Sequence, residues 1–187
     1  MNTKPTEELM KEHSAIQLML EILSEACTRL ESGGKVVVTD LEKMLEFLKE
    51  FADGCHHAKE ERHLFPALER AGIPRERGPI GVMLAEHNLG RSHIRRMSSA
   101  ISGLAAGDTR AKEEFVQNAR AYVHLLTMHI EKENKVLFPM ADVHLPLEVQ
   151  QGLARDFEKL ELEEIGAGKH EEFHQLLHEL KGVYLQR

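Results

Sequence analysis

Tryptophan is missing from this 187-residue chain, aromatic residues make up 5% of it, and the β-branched and aromatic runs that announce strands are nearly absent. Val36-Val37-Val38 is the only strand candidate. Long apolar runs are lacking as well. None approaches the roughly 20 residues of a membrane span, and the opening MNTKPTEELMKEH has no apolar core of a secretory signal. Two cysteines, Cys27 and Cys55, make no disulfide framework, which points to a reducing cytoplasm. Positive charge is in deficit: 24 Lys and Arg against 31 Asp and Glu give a formal net charge of −7. That balance argues against nucleic acid or an anionic membrane as the principal partner. The expectation left standing is a soluble, cytoplasmic, globular chain, long enough to bury a sizeable core.

Histidine, by contrast, is plentiful, with twelve copies of the side chain most often recruited as a metal ligand. Punctuation divides the chain into helices. Gly33-Gly34 ends a first helix that begins near Thr6, and Thr39-Asp40-Leu41-Glu42 reads as a capping box for a second that runs toward Gly72 and Pro74. A third lies between Pro79 and Gly107, and a fourth spans about Thr109 to Ala141. Short connections between long helices make neighbours antiparallel. The expected fold is therefore all-α: an up-down-up-down four-helix bundle over residues 1–145, then a helical extension at 146–187, broken near Gly166 and Gly168 and packed on the bundle.

Three-four spacing marks the inner faces. Helix one offers Leu9, His13, Ile16, Leu20, Leu23, Cys27 and Leu30; helix three offers Ile80, Met83, His87, Gly90, Ile94, Met97, Ile101 and Leu104. Helix four offers Phe115, Ala119, Tyr122, Leu126, His129, Glu133 and Val136. Each seam is apolar except where a His, or a His with a Glu, interrupts it. Burying such groups without partners costs several kcal/mol, so the interruptions call for a common purpose. Helix two is less tidy: His56 lies at the edge of its stripe, where Gly54 would let the face rotate.

HHAKEERHLFP (56–66) and HIEKENKVLFP (129–139) are two passes over one pattern, identical at six of eleven positions. His and Glu four apart on a helix point the same way, about 5–6 Å apart at Cβ. His56 follows His13 by 43 residues and His129 follows His87 by 42, so each half supplies one His and one His-x-x-x-Glu. Stacking the halves about a pseudo-twofold brings His13, His56, Glu60, His87, His129 and Glu133 to one level, with Glu60 and Glu133 bridging two metals. A second pair, His57 and Glu61, also has the right spacing. It is set aside because the repeat matches it to Ile130 and Asn134. Ligation by nitrogen and oxygen without thiolate suits iron, manganese, zinc or nickel. Two bridged metals in a His-rich pocket favour a pair of iron ions with an oxo or hydroxo bridge, zinc or manganese being substitutes. Cys55 falls on the apolar stripe and reads as a small hydrophobe. The repeated Leu-Phe-Pro reads as structural, proline closing or kinking the helix while Leu and Phe cover the bundle end.

Glu12-His13, His56-x-x-x-Glu60 with Leu64-Phe65-Pro66, Glu86-His87, and His129-x-x-x-Glu133 with Leu137-Phe138-Pro139 together resemble the hemerythrin-like, or HHE cation-binding, family over roughly residues 6 to 141. The resemblance implies a four-helix bundle with a non-haem diiron centre. It implies a task among those of the family: binding dioxygen, responding to nitric oxide or peroxide, sensing iron, or repairing iron–sulfur clusters. Two departures stand out. The oxygen carriers have a fifth imidazole four residues after the third-helix His, where this chain has Arg91. The last acidic ligand is Glu four after its His rather than Asp five after, as in the bacterial proteins. A seventh ligand is left to water, Tyr122, or a tail His such as His170 or His174.

The expected function is a diiron protein that binds or senses O2, nitric oxide or peroxide. The alternatives are a peroxide-consuming or iron–sulfur repair enzyme at the same centre, and a zinc-loaded or metal-free interaction module. His63, His93, His124 and His144 read as surface or supporting residues. His170, His174 and His178 form one ridge on a tail helix, either a solvated face or a lining of the metal pocket or its entrance. A protein partner and the oligomeric state are left open.

Overall fold

The computed structural model describes residues 4–166 and 168–186, and at 164 and 165 the backbone alone. The outer ends of the two expected units, at residues 1–3 and 187, lie outside the described residues. Six helical rods follow one another, and no strand occurs among the described residues. We number them α1 (Pro5–Glu31), α2 (38–70), α3 (Pro79–Ala105), α4 (109–144), α5 (147–165) and α6 (Lys169–Tyr184). The first four form the all-α, up-down-up-down bundle; α5 and α6 lie against α1 and the middle of α2. Among the described residues, no helix is long and apolar enough to cross a membrane.

Local chemistry sets the ends. Gly72 and Gly107 take the left-handed conformation just past α2 and α3, with φ of 94° and 80°, where a side chain would be strained. Asp108 caps α4 by accepting from the Arg110 amide at 2.8 Å. The capping box expected at Thr39 is not used: Val37 is the residue before α2, and its side chain makes no cap hydrogen bond. Val38, part of the only strand candidate, opens the helix instead.

Two of the rods change their winding midway. Leu48–His57 and Glu60–Leu64 in α2, and Glu133–Leu137 in α4, are π-helical, with wider turns than the α-helical lengths around them. Pro66 and Pro139 sit just past these wide turns, and the helices run on through them to Arg70 and His144. The proline therefore does not close the helix. A wide turn before it accommodates the missing donor and the ring, which an α-helical interior would not. The seam past Glu133 runs through Leu137, four residues on, rather than Val136. Val136, expected inside, is 51% exposed, while Leu137 beside it is 1% exposed.

Two apolar clusters fill the interior. One contains Ile16, Leu20, Phe47, Phe51, Met97, Phe115 and Leu126, and is closed by Phe173, Leu177 and Leu180 of α6. The other contains Leu9, Leu64, Phe65, Ile80, Met83, Leu137 and Phe138, with Leu153 and Phe157 of α5. Between them lies a level of buried polar residues: Glu12, His13, His56, His57, Lys59, Glu60, His87, His129 and Glu133.

Candidate metal centre

All six residues selected from the repeat reach this level, and the structure brings them together. Nε2 of His13 and Nε2 of His56 are 3.0 Å apart, and Nε2 of His87 and Nε2 of His129 are 3.1 Å apart. Glu60 lies across both pairs, with Oε1 3.7 Å from His56 Nε2 and Oε2 3.4 Å from His87 Nε2. Glu133 does the same from the opposite side, at 3.1 Å from His129 Nε2 and 3.2 Å from His13 Nε2. The two halves of the chain are thus related by an approximate twofold, each glutamate spanning one imidazole of each half.

The outer ring nitrogens decide what the inner ones present. His56 Nδ1 donates to Glu12 Oε2 at 2.8 Å and His129 Nδ1 to Glu86 Oε2 at 2.9 Å. His13 Nδ1 donates to Asn134 Oδ1 at 2.8 Å and His87 Nδ1 to Glu61 Oε1 at 2.7 Å. Each acceptor is an oxygen, so each Nδ1 carries the proton, and in a neutral ring Nε2 then has only a lone pair. Pairs of such lone pairs about 3 Å apart repel unless a cation lies between the donors. All four carboxylate oxygens of Glu60 and Glu133 are buried without a hydrogen-bond partner. Orphaned oxygens of that kind cost several kcal/mol in a protein interior. Nitrogen lone pairs and unpartnered carboxylates together are a donor set for cations, and the residues fit metal binding.

The repeated Lys belongs to the same apparatus. Lys59 donates to Glu12, and Lys132 to Glu86, so each lysine holds the carboxylate that orients a histidine of its own segment. The motif His-x-x-Lys-Glu thus supplies an imidazole, the anchor of that imidazole's partner, and a carboxylate that spans both halves. Its Phe has a role too: Phe65 stacks on His87 at 5.9 Å and Phe138 on His13 at 5.3 Å, walling the imidazoles from solvent.

One residue was passed over because the repeat matches it to Ile130. His57 is buried, stacks on His87 at a ring distance of 3.8 Å, and donates from Nδ1 to Asp53 Oδ1 at 3.1 Å. Its ligating atom shares a 4.8 Å cluster with those of Glu60, His87 and His129. The second cluster consists of His13, His56, Glu60 and Glu133. α-Helical spacing would separate consecutive residues around the rod. The wide turns of Leu48–His57 present His56 and His57 to the interior together. Arg91, standing where the fifth imidazole was missing, supports this arrangement: it donates to Asp53 at 2.8 Å and to Glu61 at 2.8 Å. Glu61, the partner in the discarded pair, is outside both clusters and orients His87 instead. The signal for His57 lay in Asp53 four residues before it and in Arg91.

Charge at the centre follows burial first. Burial holds His56 and His57 well below the usual imidazole range. It also pushes the Glu60 carboxyl well up, with Glu133 adding to the effect. Burial opposes the charge on Asp53, but His57 and Arg91 overcome it and bring the carboxyl down to about 2. Burial likewise opposes protonation of His129, yet Glu133 and Glu86 raise it to about 9. Without metal, then, a proton on His129 offsets part of the excess negative charge.

The remaining candidates fall away from the centre. Cys55 is in neither cluster, and burial pushes its thiol up to about 12. Tyr122 is buried on the expected seam with no hydrogen-bond partner for its hydroxyl, but it is in neither cluster. His124, His144 and His178 are exposed, His63 lies beside Asp156, and His93 meets Asn118. His170 and His174 line a cavity beside α1 rather than the centre itself.

An antiparallel helical bundle with buried His/Glu clusters at one level defines the class of cation-binding bundles. The chain matches the hemerythrin HHE cation-binding domain over residues 4–141, and it belongs to that family. Among curated proteins it is similar to an uncharacterized protein of Mycobacterium bovis and to one from each of two Mycobacterium tuberculosis strains, at 29% identity over 161 residues in each case. The aligned stretch covers 86% of this chain and 62% of those relatives, so this chain spans about three-fifths of their length. No solved structure matches the chain.

Proposed function

We propose that this protein is a non-haem diiron-binding protein that binds or senses O2, nitric oxide or peroxide at the His/Glu centre. The supporting observation is the inequality of the two donor sets. One cluster offers two imidazoles with Glu60 and Glu133; the other offers three, through His57, with Glu60. Glu133, 3.1 Å from His129 Nε2 as well, adds a fifth donor on the His57 side, so an ion in the first set has four protein donors against five, and that side is where a small ligand finds room. Two ferrous ions held there would supply the electrons and Lewis acidity that such ligands draw on. The chain's own part is to keep the donors oriented and dry. Glu12, Glu86, Asn134, Glu61 and Asp53 fix the rings, while Phe65, Phe138 and the two apolar clusters exclude water.

The test is anaerobic loading with ferrous iron followed by exposure to each ligand in turn. We expect a change in visible absorption with at least one of O2, nitric oxide or peroxide. No optical change with any of the three would overturn the reading. Steady-state peroxide consumption in the same preparation would mark an enzyme rather than a binder.

A further inference from the structure

A cavity lies outside the bundle centre, between α1, the π-helical part of α2, and the extension. It encloses about 940 Å³ and is floored by Glu12 and Phe51, with Glu161 of α5 and His170 and His174 of α6 on its walls. Three observations point to a ligand class. First, the ligating atoms of Glu12, Glu161 and His170 lie within 4.8 Å of one another. Opposite ligands on a small divalent ion are roughly 4.0–4.4 Å apart, so a slight side-chain shift closes the set. Second, His170 and His174 are four apart on α6 with ring centroids 4.8 Å apart, and a helical His-x-x-x-His is a spacing that grips one metal ion from a single face. Third, the charge is unbalanced. Lys59, fully buried beneath the floor, is met by three carboxylates, Glu8, Glu12 and Glu161. With Glu158, Lys11 and Arg155 of the walls counted, four carboxylates stand against three cations.

We propose that Glu12, Glu161, His170 and His174 form a second divalent-cation site, outside the dinuclear centre and built partly by the C-terminal extension. Nitrogen and oxygen donors without thiolate select the first-row class from manganese to zinc. The site is linked to the centre through one side chain: Glu12 turns Oε2 to His56 Nδ1 and Oε1 to Lys59. A cation on the outer side therefore acts on the carboxylate that orients an inner histidine.

Titration of the metal-free 187-residue chain with Co2+, followed by calorimetry and the visible cobalt spectrum, tests this. We expect two tight equivalents and a third, weaker one. The His170→Ala/His174→Ala double variant should keep the first two and lose the third, its fold checked by circular dichroism. A His56→Ala/His129→Ala variant should do the reverse, weakening the inner pair while the outer equivalent persists. Saturation of the wild type at two equivalents, both lost in the His56→Ala/His129→Ala variant, would overturn the outer site, as would a third equivalent that survives in His170→Ala/His174→Ala. A single equivalent abolished by His170→Ala/His174→Ala would support the outer site while removing the dinuclear reading.

Discussion

Lys59 and Lys132 occupy the same place in the two halves of the repeat but not the same environment. Lys59 has no exposed side-chain surface and bonds to Glu8, Glu12 and Glu161; Lys132 is 38% exposed and bonds to Glu86. Removing the buried cation strands three carboxylates, a loss of about 3–5 kcal/mol for a broken buried pair. A solvent-screened pair is worth about 0–1 kcal/mol. Urea unfolding of metal-free Lys59→Met and Lys132→Met should show that asymmetry, and equal losses would mean that the two halves are not supported differently. His57 carries the second prediction at this scale. With His57→Ala we expect one of the two inner metal equivalents to weaken by at least tenfold while the other holds, measured by competition with a chelator. The same residues show what the sequence disclosed. The six positions of the repeat were legible because identical residues recur at matched intervals. His57 was not, because α-helical periodicity turns two adjacent residues to different faces.

Elements tell the same story one step up. Helix ends at Gly33, Gly72 and Gly107 were legible, since glycine past a helix terminus has a local cause. The π-helical runs were not, because nothing in a pattern of apolar residues distinguishes a wide turn from an α-turn until the partners on other helices are known. Beside the π-helical run of α4, the seam continues through Leu137 rather than the expected Val136. Leu137→Ala should therefore cost about 2–5 kcal/mol, and Val136→Ala should stay within about 0.5 kcal/mol. Thermal unfolding of the two variants compares them directly; the opposite order would put Val136, not Leu137, in the core.

For the whole molecule, an approximate twofold organises the centre and the extension breaks it. His57 against Ile130, Glu61 against Asn134, and Lys59 against Lys132 are the differences between the halves at this level, and α5 and α6 lie on the side of α1 and α2. The symmetry was readable from the repeat. Which face the extension covers was not, because that depends on apolar residues such as Phe157, Phe173 and Leu177 finding partners far away in sequence. All of it depends on two cations sharing one polar level of the bundle. Metal analysis of the full chain purified from iron-replete cells, read with its visible spectrum, tests that most directly. We expect two irons per chain and a charge-transfer band, both lost when His56 and His129 are replaced by Ala. A chain that carries one ion or none, or that keeps its full complement in the double variant, would contradict it.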